Sequence, residues 1–122
     1  MSKRIINLDA ILRDLEQNCD LIGSALVSSK GQMIYSSLRG DGKERAVSAM
    51  AAAISSIVER VGTELDAGTM TTTIIDGSIM SVILRKIDQI LLLGIAPLNS
   101  EIGLIDFELN RATEKISDEF RI

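Results

Sequence analysis

The sequence predicts an α+β fold: a five-stranded antiparallel sheet between helices on both faces, an α/β/α sandwich with the element order α-β-β-α-β-β-β-α. A long segment in the middle of the chain repeats its apolar residues with helical spacing. Short turns separate several consecutive strands, and strands joined by tight turns must run antiparallel. The inner strands are apolar on both faces, which indicates that helices cover both sides of the sheet.

The middle helix is predicted over residues 44–65. Its apolar residues recur every three or four positions, so they form one stripe that we expect to face the core. Small residues flank the stripe at Ala46, Ala49 and Ala53. Small side chains let a second helix approach closely, which indicates contact with another chain, although alanine and serine also occur simply because helices tolerate them. The predicted core stripe is Val47, Met50, Ile54, Val58, Val61 and Leu65.

Before this helix we predict a short amphipathic helix with Asn7 as its N-cap, ending near residues 18–20. A strand over residues 21–28 is apolar on both faces and should lie inside the sheet. A turn at residues 29–31, in which Gly31 supplies a positive φ, leads to a more polar strand over residues 32–38 that should lie at an edge. A loop over residues 39–43 follows.

After the middle helix, residues 69–76 form a threonine-rich strand without lysine or proline. Such a strand is poorly protected as a sheet edge and is open to pairing with another chain. Asp76–Gly77 predicts a two-residue hairpin, and strands over 78–87 and 90–96 meet at a turn at Asp88–Gln89. The strand over 90–96 is apolar on both faces and should be the centre of the sheet.

The last helix is expected to start at Asn99 or Ser100 as its N-cap. Its predicted buried stripe is Ile102, Ile105, Leu109, Ala112 and Ile116.

The composition fits one domain spanning residues 1–122. Hydrophobic residues make up 46% of the chain and aromatic residues only 2%, so the core must be aliphatic. A net charge of −4 argues against nucleic acid and against an anionic membrane surface as the main partner. No apolar run approaches the ~20 residues of a membrane span. With one cysteine and no sign of a signal peptide, we expect the cytoplasm as the compartment.

The residue types needed for catalysis or for a cofactor are scarce. The chain has no histidine, which removes the usual neutral-pH base and the commonest zinc ligand. The segment 40–43, GDGK, lacks the remaining glycine spacing of a phosphate loop, and we interpret it as a polar loop. Cys19 stands beside an acidic residue and is expected to be inert, while Arg85 and Lys86 should lie on opposite faces of their strand, in solvent. We therefore expect no catalytic residues, cofactor or metal.

The succession of segments resembles the roadblock (dynein light-chain) family over nearly the whole chain, from about Leu8 to Ile116. The stretches that carry the resemblance are DLIGSALVSSKGQMIYSS, the alanine-rich middle helix, and ILLLGIAPLNSEIGLIDFELNRA. The resemblance implies a profilin-like fold and a dimer joined through the middle helix and the third strand. It also implies a non-catalytic platform that binds or regulates small Ras-like GTPases, or that tethers motor and signalling assemblies. Bacterial members of the family stimulate the nucleotide cycle of such a GTPase without inserting an arginine.

The leading hypothesis is thus a homodimeric adaptor for a Ras-like GTPase, with a related roadblock chain as another possible partner in place of the second copy. The alternative hypotheses are a small-molecule-sensing module and, less favoured because no catalytic constellation is found, an enzyme. The predicted dimer-interface residues are Ala46, Ala49, Met50, Ala53 and Ile57 on the helix and Met70, Thr72 and Ile74 on the strand.

Overall fold

The computed structural model describes residues 2–38 and 43–121. Within them the order of elements is the predicted one, and the α+β fold is confirmed. The elements are α1 (Lys3–Cys19), β1 (Gly23–Ser28), β2 (Met33–Ser36), α2 (Glu44–Glu64), β3 (Thr72–Asp76), β4 (Met80–Ile87), β5 (Ile90–Pro97) and α3 (Ile102–Glu119). The loop predicted over residues 39–43 lies outside the described residues except for Lys43.

The sheet has the order β2-β1-β5-β4-β3, and each neighbouring pair is antiparallel. The most apolar strand, β5, lies at its centre as predicted, because a strand buried on both faces needs neighbours and cover on every side. The two strands with the most polar sequences, β2 and β3, form the two edges. The predicted positions of β1 inside the sheet, β2 at an edge and β5 at the centre are therefore confirmed, and β3 forms the other edge.

Two aliphatic layers hold the helices on the sheet. On one face α1 and α3 pack over Leu26 and Leu92, with Leu12, Leu109 and Ile116 almost completely buried between the helices and the sheet. On the other face α2 packs over a smaller cluster, formed by Val27, Ala51, Leu84, Leu91 and Leu93. Successive residues of β5 alternate between these two clusters, as the period of two in a strand requires.

Two of the predicted turns are confirmed and one is displaced. Gly31 has φ +89°, a conformation that glycine adopts without steric cost, and Asp88 turns the chain between β4 and β5 at φ 56°. The β3–β4 turn was predicted at Asp76–Gly77, but Asp76 still pairs within the ladder. The Gly77 amide donates to the Met80 carbonyl at 2.9 Å, which places the tip at residues 78–79.

The predicted start of α2 at Glu44 is confirmed, whereas the predicted starts of α1 and α3 were wrong by a few residues. α1 begins earlier, because the Ser2 side chain accepts a hydrogen bond from the Ile5 amide. Asn7 lies inside α1 and donates to the Glu119 carboxylate, linking α1 to α3.

In α3 the N-cap position is Glu101, whose side chain makes no capping bond. Ser100 instead donates to the Pro97 carbonyl, and Asn99 adopts a left-handed conformation. Ile102 was predicted to be buried but is exposed, because the first turn of the helix lies at the rim of the sheet beside Ile74.

Candidate functional site

Helix α2 rests on the sheet through its smallest side chains. Ser48, Ala51 and Gly62 are buried, and the Ser48 hydroxyl donates to the Arg45 carbonyl, so it needs no partner in the sheet. In the sheet beneath α2, the large side chains of Leu84, Leu91 and Leu93 fill the space. Small side chains at these buried positions of the helix leave room for those leucines, so α2 can lie close to the sheet.

The predicted core stripe of α2 is therefore only partly right. Val47, Ile54 and Val58 are half-buried against the sheet, whereas Met50, Val61 and Leu65 are exposed. The exposed fractions of Met50, Ile57 and Leu65 are 56%, 61% and 71%. The helix carries more apolar surface than one sheet contact can bury, so its outward side remains apolar.

The predicted interface residues on α2 all lie on this outward side. At 3.6 residues per turn, Ala46, Met50, Ala53, Ile57 and Val61 fall in one row along the helix, and each of them is exposed. Ala49 is exposed beside the row. We call these six residues the outer stripe of α2; it has small side chains in its first half and large ones in its second half.

Strand β3 lies at the edge of the sheet, and β4 is its only strand neighbour among the described residues. Thr72 and Ile74 pair with Arg85 and Ile83, so their side chains are on the α3 face of the sheet. Ile75 points to the other face, the one that α2 covers, and is as exposed as Ile74. The strand therefore presents one apolar side chain on each face beside a free row of backbone groups.

Met70 precedes β3 instead of belonging to it. Its side chain lies against Gly62 of α2, so close that a Cβ at Gly62 would be 2.7 Å from Met70 Cγ. Met70 thus ties the C-terminal part of α2 to the chain that enters β3. Of the predicted interface residues on the strand, Thr72 and Ile74 are in β3, and Met70 is at the junction of the two elements.

Arg85 was expected in solvent, but the structure shows that its side chain is only 9% exposed. Its guanidinium donates to Thr72 Oγ1 at 2.7 Å, to Asn110 Oδ1 at 2.6 Å and to Asp106 Oδ1 at 2.7 Å. One buried arginine thereby connects the edge strand, β4 and α3. Sequence reasoning could have found it, since Arg85 alternates with the core residues Ile83 and Ile87 and so points to the α3 face.

The neighbouring Lys86 points to the opposite face, as predicted, and forms an ion pair with Glu59 of α2. Glu108 of α3 is a second buried charge. It accepts hydrogen bonds from Asn18 of α1 and from Arg111 of its own helix, at 3.2 Å each. These polar contacts connect α2 to β4 and α1 to α3.

Reactive groups do not converge in the residues that the structure describes. No group of three or more acidic or cysteine side chains there could hold a metal ion. Burial raises the pKa of the Cys19 thiol to about 11, and its sulfur donates to the Leu15 carbonyl, so the thiol stays protonated. Tyr35 donates to the Asp9 carboxylate, which raises the pKa of Tyr35 and lowers that of Asp9. Within residues 2–38 and 43–121, no helix is long and apolar enough to cross a membrane.

Two surface grooves bear on the small-molecule hypothesis. One, of about 570 Å³, lies between the end of α2 and Met70, and charged or polar side chains form most of its walls. The other, of about 540 Å³, lies between β2, the β4–β5 turn and the end of α3. The isoleucines Ile34, Ile87 and Ile90 and the ring of Phe120 line it, together with Asp88, Gln89, Ser117 and Arg121.

The family model of the Roadblock/LC7 domain matches residues 8–96. The chain belongs to the Roadblock/LC7 family. The uncharacterized protein MJ1340 of Methanocaldococcus jannaschii is 30% identical over 113 residues, which cover 93% of this chain and 99% of that protein. The resemblance found in the sequence is therefore confirmed.

Solved structures confirm the fold. The gliding protein MglB of Thermus thermophilus has a TM-score of 0.87 at 11% identity, over 98% of this chain and 92% of that one. Profilin IB of Acanthamoeba castellanii has a TM-score of 0.63 at 11% identity, over 91% and 94% of the two chains. The roadblock fold is thus profilin-like, as expected.

Proposed function

We propose that this Roadblock/LC7 protein is a non-catalytic, homodimeric adaptor of the cytoplasm and that it binds a small Ras-like GTPase. In this proposal residues 1–122 form one domain. The observation that carries the proposal is that α2 and β3 both leave binding surface uncovered: α2 its apolar outer stripe, and β3 a sheet edge that no strand of the described residues pairs with. Both features belong to surfaces that a second copy would cover at once. Family membership supports the GTPase as partner, since the resemblance implies that role.

The outer stripe of α2 fits a helix–helix contact between two copies. Ala46, Ala49 and Ala53 offer little volume, so two backbones can approach at about the 8 Å lower limit of helix packing. Met50 and Ile57 would fill the space on either side of the alanines. Exposed apolar patches of this kind mark interaction sites, because water contact with them is unfavourable.

The β3 edge would extend the contact from helix to sheet. Thr72 and Ile74 lie in a strand without lysine, proline or a bulge in its pairing with β4, so nothing in the strand prevents a further strand from pairing. Met70 packs against Gly62 in the C-terminal part of α2 and would lie at the rim of the interface. The helix and strand contacts together would bury on the order of 1,500 Å² or more in total, the size of a stable interface.

Ala53→Glu tests the dimer. The carboxylate would stand in the middle of the alanine contact without a partner, which is strongly unfavourable in a buried interface. We expect the mass in solution at micromolar concentration to fall from two copies to one. Ala10→Glu, the same change at an exposed alanine of α1, is the matched control and should leave the mass unchanged. A dimer that survives Ala53→Glu would refute the proposed interface.

Affinity purification from the source cell tests the GTPase. The bound fraction should contain a protein of the Ras superfamily and should release guanine nucleotide on denaturation. The Ala53→Glu variant should retain less of it if the dimer is the binding platform. Native mass spectrometry of the same fraction separates two identical copies from a pair with a related roadblock chain. A fraction without guanine nucleotide, in both nucleotide-loaded and nucleotide-free buffers, would contradict the GTPase role.

A second candidate function is small-molecule binding at the groove beside Phe120. Its volume of about 540 Å³ lies within the ordinary range of ligand sites, and its walls combine isoleucine side chains with Asp88, Gln89 and Arg121. A metabolite panel read by thermal shift tests it. A hit should raise the melting temperature of the natural protein and lose that effect in Phe120→Ala, and a panel without any such hit would count against this candidate.

A further inference from the structure

The hydrogen bonds of the β3–β4 ladder determine which backbone groups of β3 face outward. The Lys86 amide donates to the Thr71 carbonyl at 2.8 Å, and the Gly77 amide donates to the Met80 carbonyl at 2.9 Å. Residues in an antiparallel ladder alternate between bonding to one neighbour and turning to the other side. Residues 71, 73, 75 and 77 therefore bond toward β4, while Thr72, Ile74 and Asp76 direct their amide and carbonyl groups to the open edge.

The same three residues carry their side chains on the α3 face. Thr72 stands beside Arg85 in the ladder, and Asp76 stands beside Ser81. The three observed hydrogen bonds of Arg85 use three of the five N–H groups of a guanidinium. Its carboxylate partner, the Asp106 side chain, is 59% exposed, whereas the Arg85 side chain has little solvent contact. The positive charge of Arg85 is therefore balanced by a carboxylate that is largely in solvent.

We propose that the β3 strands of two copies pair antiparallel with Ile74 on the two-fold axis, so that Asp76 of each copy lies opposite Thr72 of the other and completes the charge balance of Arg85. This inference rests on the proposed homodimer and names its register and the residues that specify it. Each dimer then contains two identical rows, in which Arg85 and Thr72 come from one copy and Asp76 from the other.

Backbone pairing favours this register over its neighbours. With Ile74 on the axis, every outward residue of β3 meets an outward residue of the second copy: Ile74 meets Ile74, and Thr72 meets Asp76 twice. All outward amides and carbonyls of the strand can then form hydrogen bonds. With residue 73 on the axis, Asp76 would fall beyond the second strand.

The charge of Asp76 argues against registers in which a residue after Ile74 lies on the two-fold axis. With Asp76 on the axis, the two Asp76 carboxylates would face each other, and like charges directly opposite in a sheet are destabilising. With residue 75 on the axis, Asp76 would face Ile74 and have no cation beside it. The register centred on Ile74 is the one that places each carboxylate in the row of an arginine.

The side chains of this row are long enough to meet. Two strand spacings, about 10 Å, separate Arg85 from the Asp76 of the second copy at the Cα atoms. Arg85 Nε already reaches Thr72 Oγ1 at 2.7 Å, and the Thr72 hydroxyl keeps its own proton for donation across the axis. Asp76 Oδ1 accepts from the Ser81 hydroxyl at 2.6 Å, which orients the carboxylate and leaves Oδ2 as an acceptor.

Cysteine cross-linking tests the register. All variants carry Cys19→Ser, which keeps a donor for the Leu15 carbonyl. Residues in a hydrogen-bonded antiparallel pair have Cα atoms about 5.5 Å apart, within disulfide range. Mild oxidation should therefore link Ile74→Cys into a covalent dimer. Ile75→Cys is the matched control and should stay unlinked, because its nearest neighbour in the second copy is Thr73.

The outcomes separate the register from the dimer itself. If the protein has the mass of a dimer but a disulfide forms in the cysteine variant at residue 75 or 73 and not at 74, the register is wrong and the homodimer is still supported. A single-copy mass for the unsubstituted protein at micromolar concentration overturns both. Linkage at 74 alone, in a protein that is dimeric before oxidation, supports the inference.

Charge removal tests the contact with Arg85. Asp76→Asn keeps an oxygen for Ser81 and removes the charge, so folding should be unaffected while dimer dissociation becomes easier. We expect the dissociation constant to rise about tenfold for each of the two contacts, on the order of a hundredfold in total, and the effect to shrink in 1 M salt. The control is Asp88→Asn, an exposed carboxylate at a turn whose left-handed conformation asparagine accepts. Equal dissociation constants for the two variants would overturn the contact.

Discussion

Gly62 of α2 is expected to be the position where a single methyl group does most harm to the fold. Alanine is favoured over glycine inside a helix by about 1 kcal/mol, so Gly62→Ala should stabilise the protein if nothing stood near it. The structure places Met70 Cγ 2.7 Å and the Gly68 carbonyl oxygen 2.9 Å from the new Cβ. The methionine can move, but the carbonyl belongs to the backbone, so α2 or the chain before β3 must shift.

Overpacking of this kind typically costs about 1–3 kcal/mol, which exceeds the gain in helix propensity. We expect a net loss of up to about 2 kcal/mol for Gly62→Ala. Gly103, in the first turn of α3, is the matched control, because no atom of another described residue beyond its own helix turn would lie within 4 Å of a methyl group added there. Gly103→Ala should therefore gain a few tenths of a kcal/mol, up to about 1 kcal/mol.

Thermal and urea denaturation of the two variants measure these differences. In a domain of this size, about 1 kcal/mol corresponds to a shift of roughly 3–5 °C in melting temperature. Protein concentration must be equal in all samples, because a dimer gains stability with concentration. The double variant Gly62→Ala with Met70→Ala should recover only part of the loss, since the carbonyl contact remains. A Gly62→Ala protein as stable as Gly103→Ala would refute the close approach of α2 and the chain before β3.

Three further predictions concern the polar contacts. Arg85→Met should lower the free energy of unfolding in urea by about 1–3 kcal/mol, because Thr72 and α3 lose their common hydrogen-bond donor. Hydrogen exchange of the β3 amides should become faster, and unchanged exchange in β3 would contradict this role of Arg85. Tyr35→Phe removes the hydrogen bond to Asp9. The Asp9 carboxylate raises the pKa of Tyr35 above its ordinary 10.0. The hydrogen bond therefore stabilises the fold below pH 10, and this stabilisation is lost as the pH rises through the raised pKa. The urea unfolding curves of the two proteins should accordingly converge above pH 10. Cys19, with a pKa of about 11, should react with iodoacetamide at pH 8 far more slowly in the folded protein than in urea, and equal rates would show that the thiol is not buried.

The sheet was largely predictable from local patterns. Alternation and turn residues located the five strands, and the apolar character of β5 on both faces placed it at the centre. Errors in the bounds of the elements lie at ends and tips, such as the β3–β4 turn at residues 78–79 and the early start of α1 at Lys3. Ends are set by which side chain supplies a capping oxygen, and several nearby residues can do so.

The orientation of α2 was not predictable from its hydrophobic stripe. The helix has apolar residues on more than one side, and periodicity alone selects the side with the largest ones. In the structure the bulky leucines of β4 and β5 occupy the space beneath α2, so the small Ala51 packs against them while Met50 and Ile57 face outward. The predicted interface residues on the helix lie on the outward side for that reason.

The sequence by itself determined the order of the elements, the antiparallel sheet, the aliphatic core and the membership of a family, because each depends on neighbours within a few positions or on the whole succession of segments. Only the tertiary structure decided which side of α2 is buried, that Arg85 connects β3 to α3, and which backbone groups of β3 remain open. These depend on volumes and hydrogen-bond partners contributed by elements far apart in the chain, and no local pattern records how such elements share the space between them.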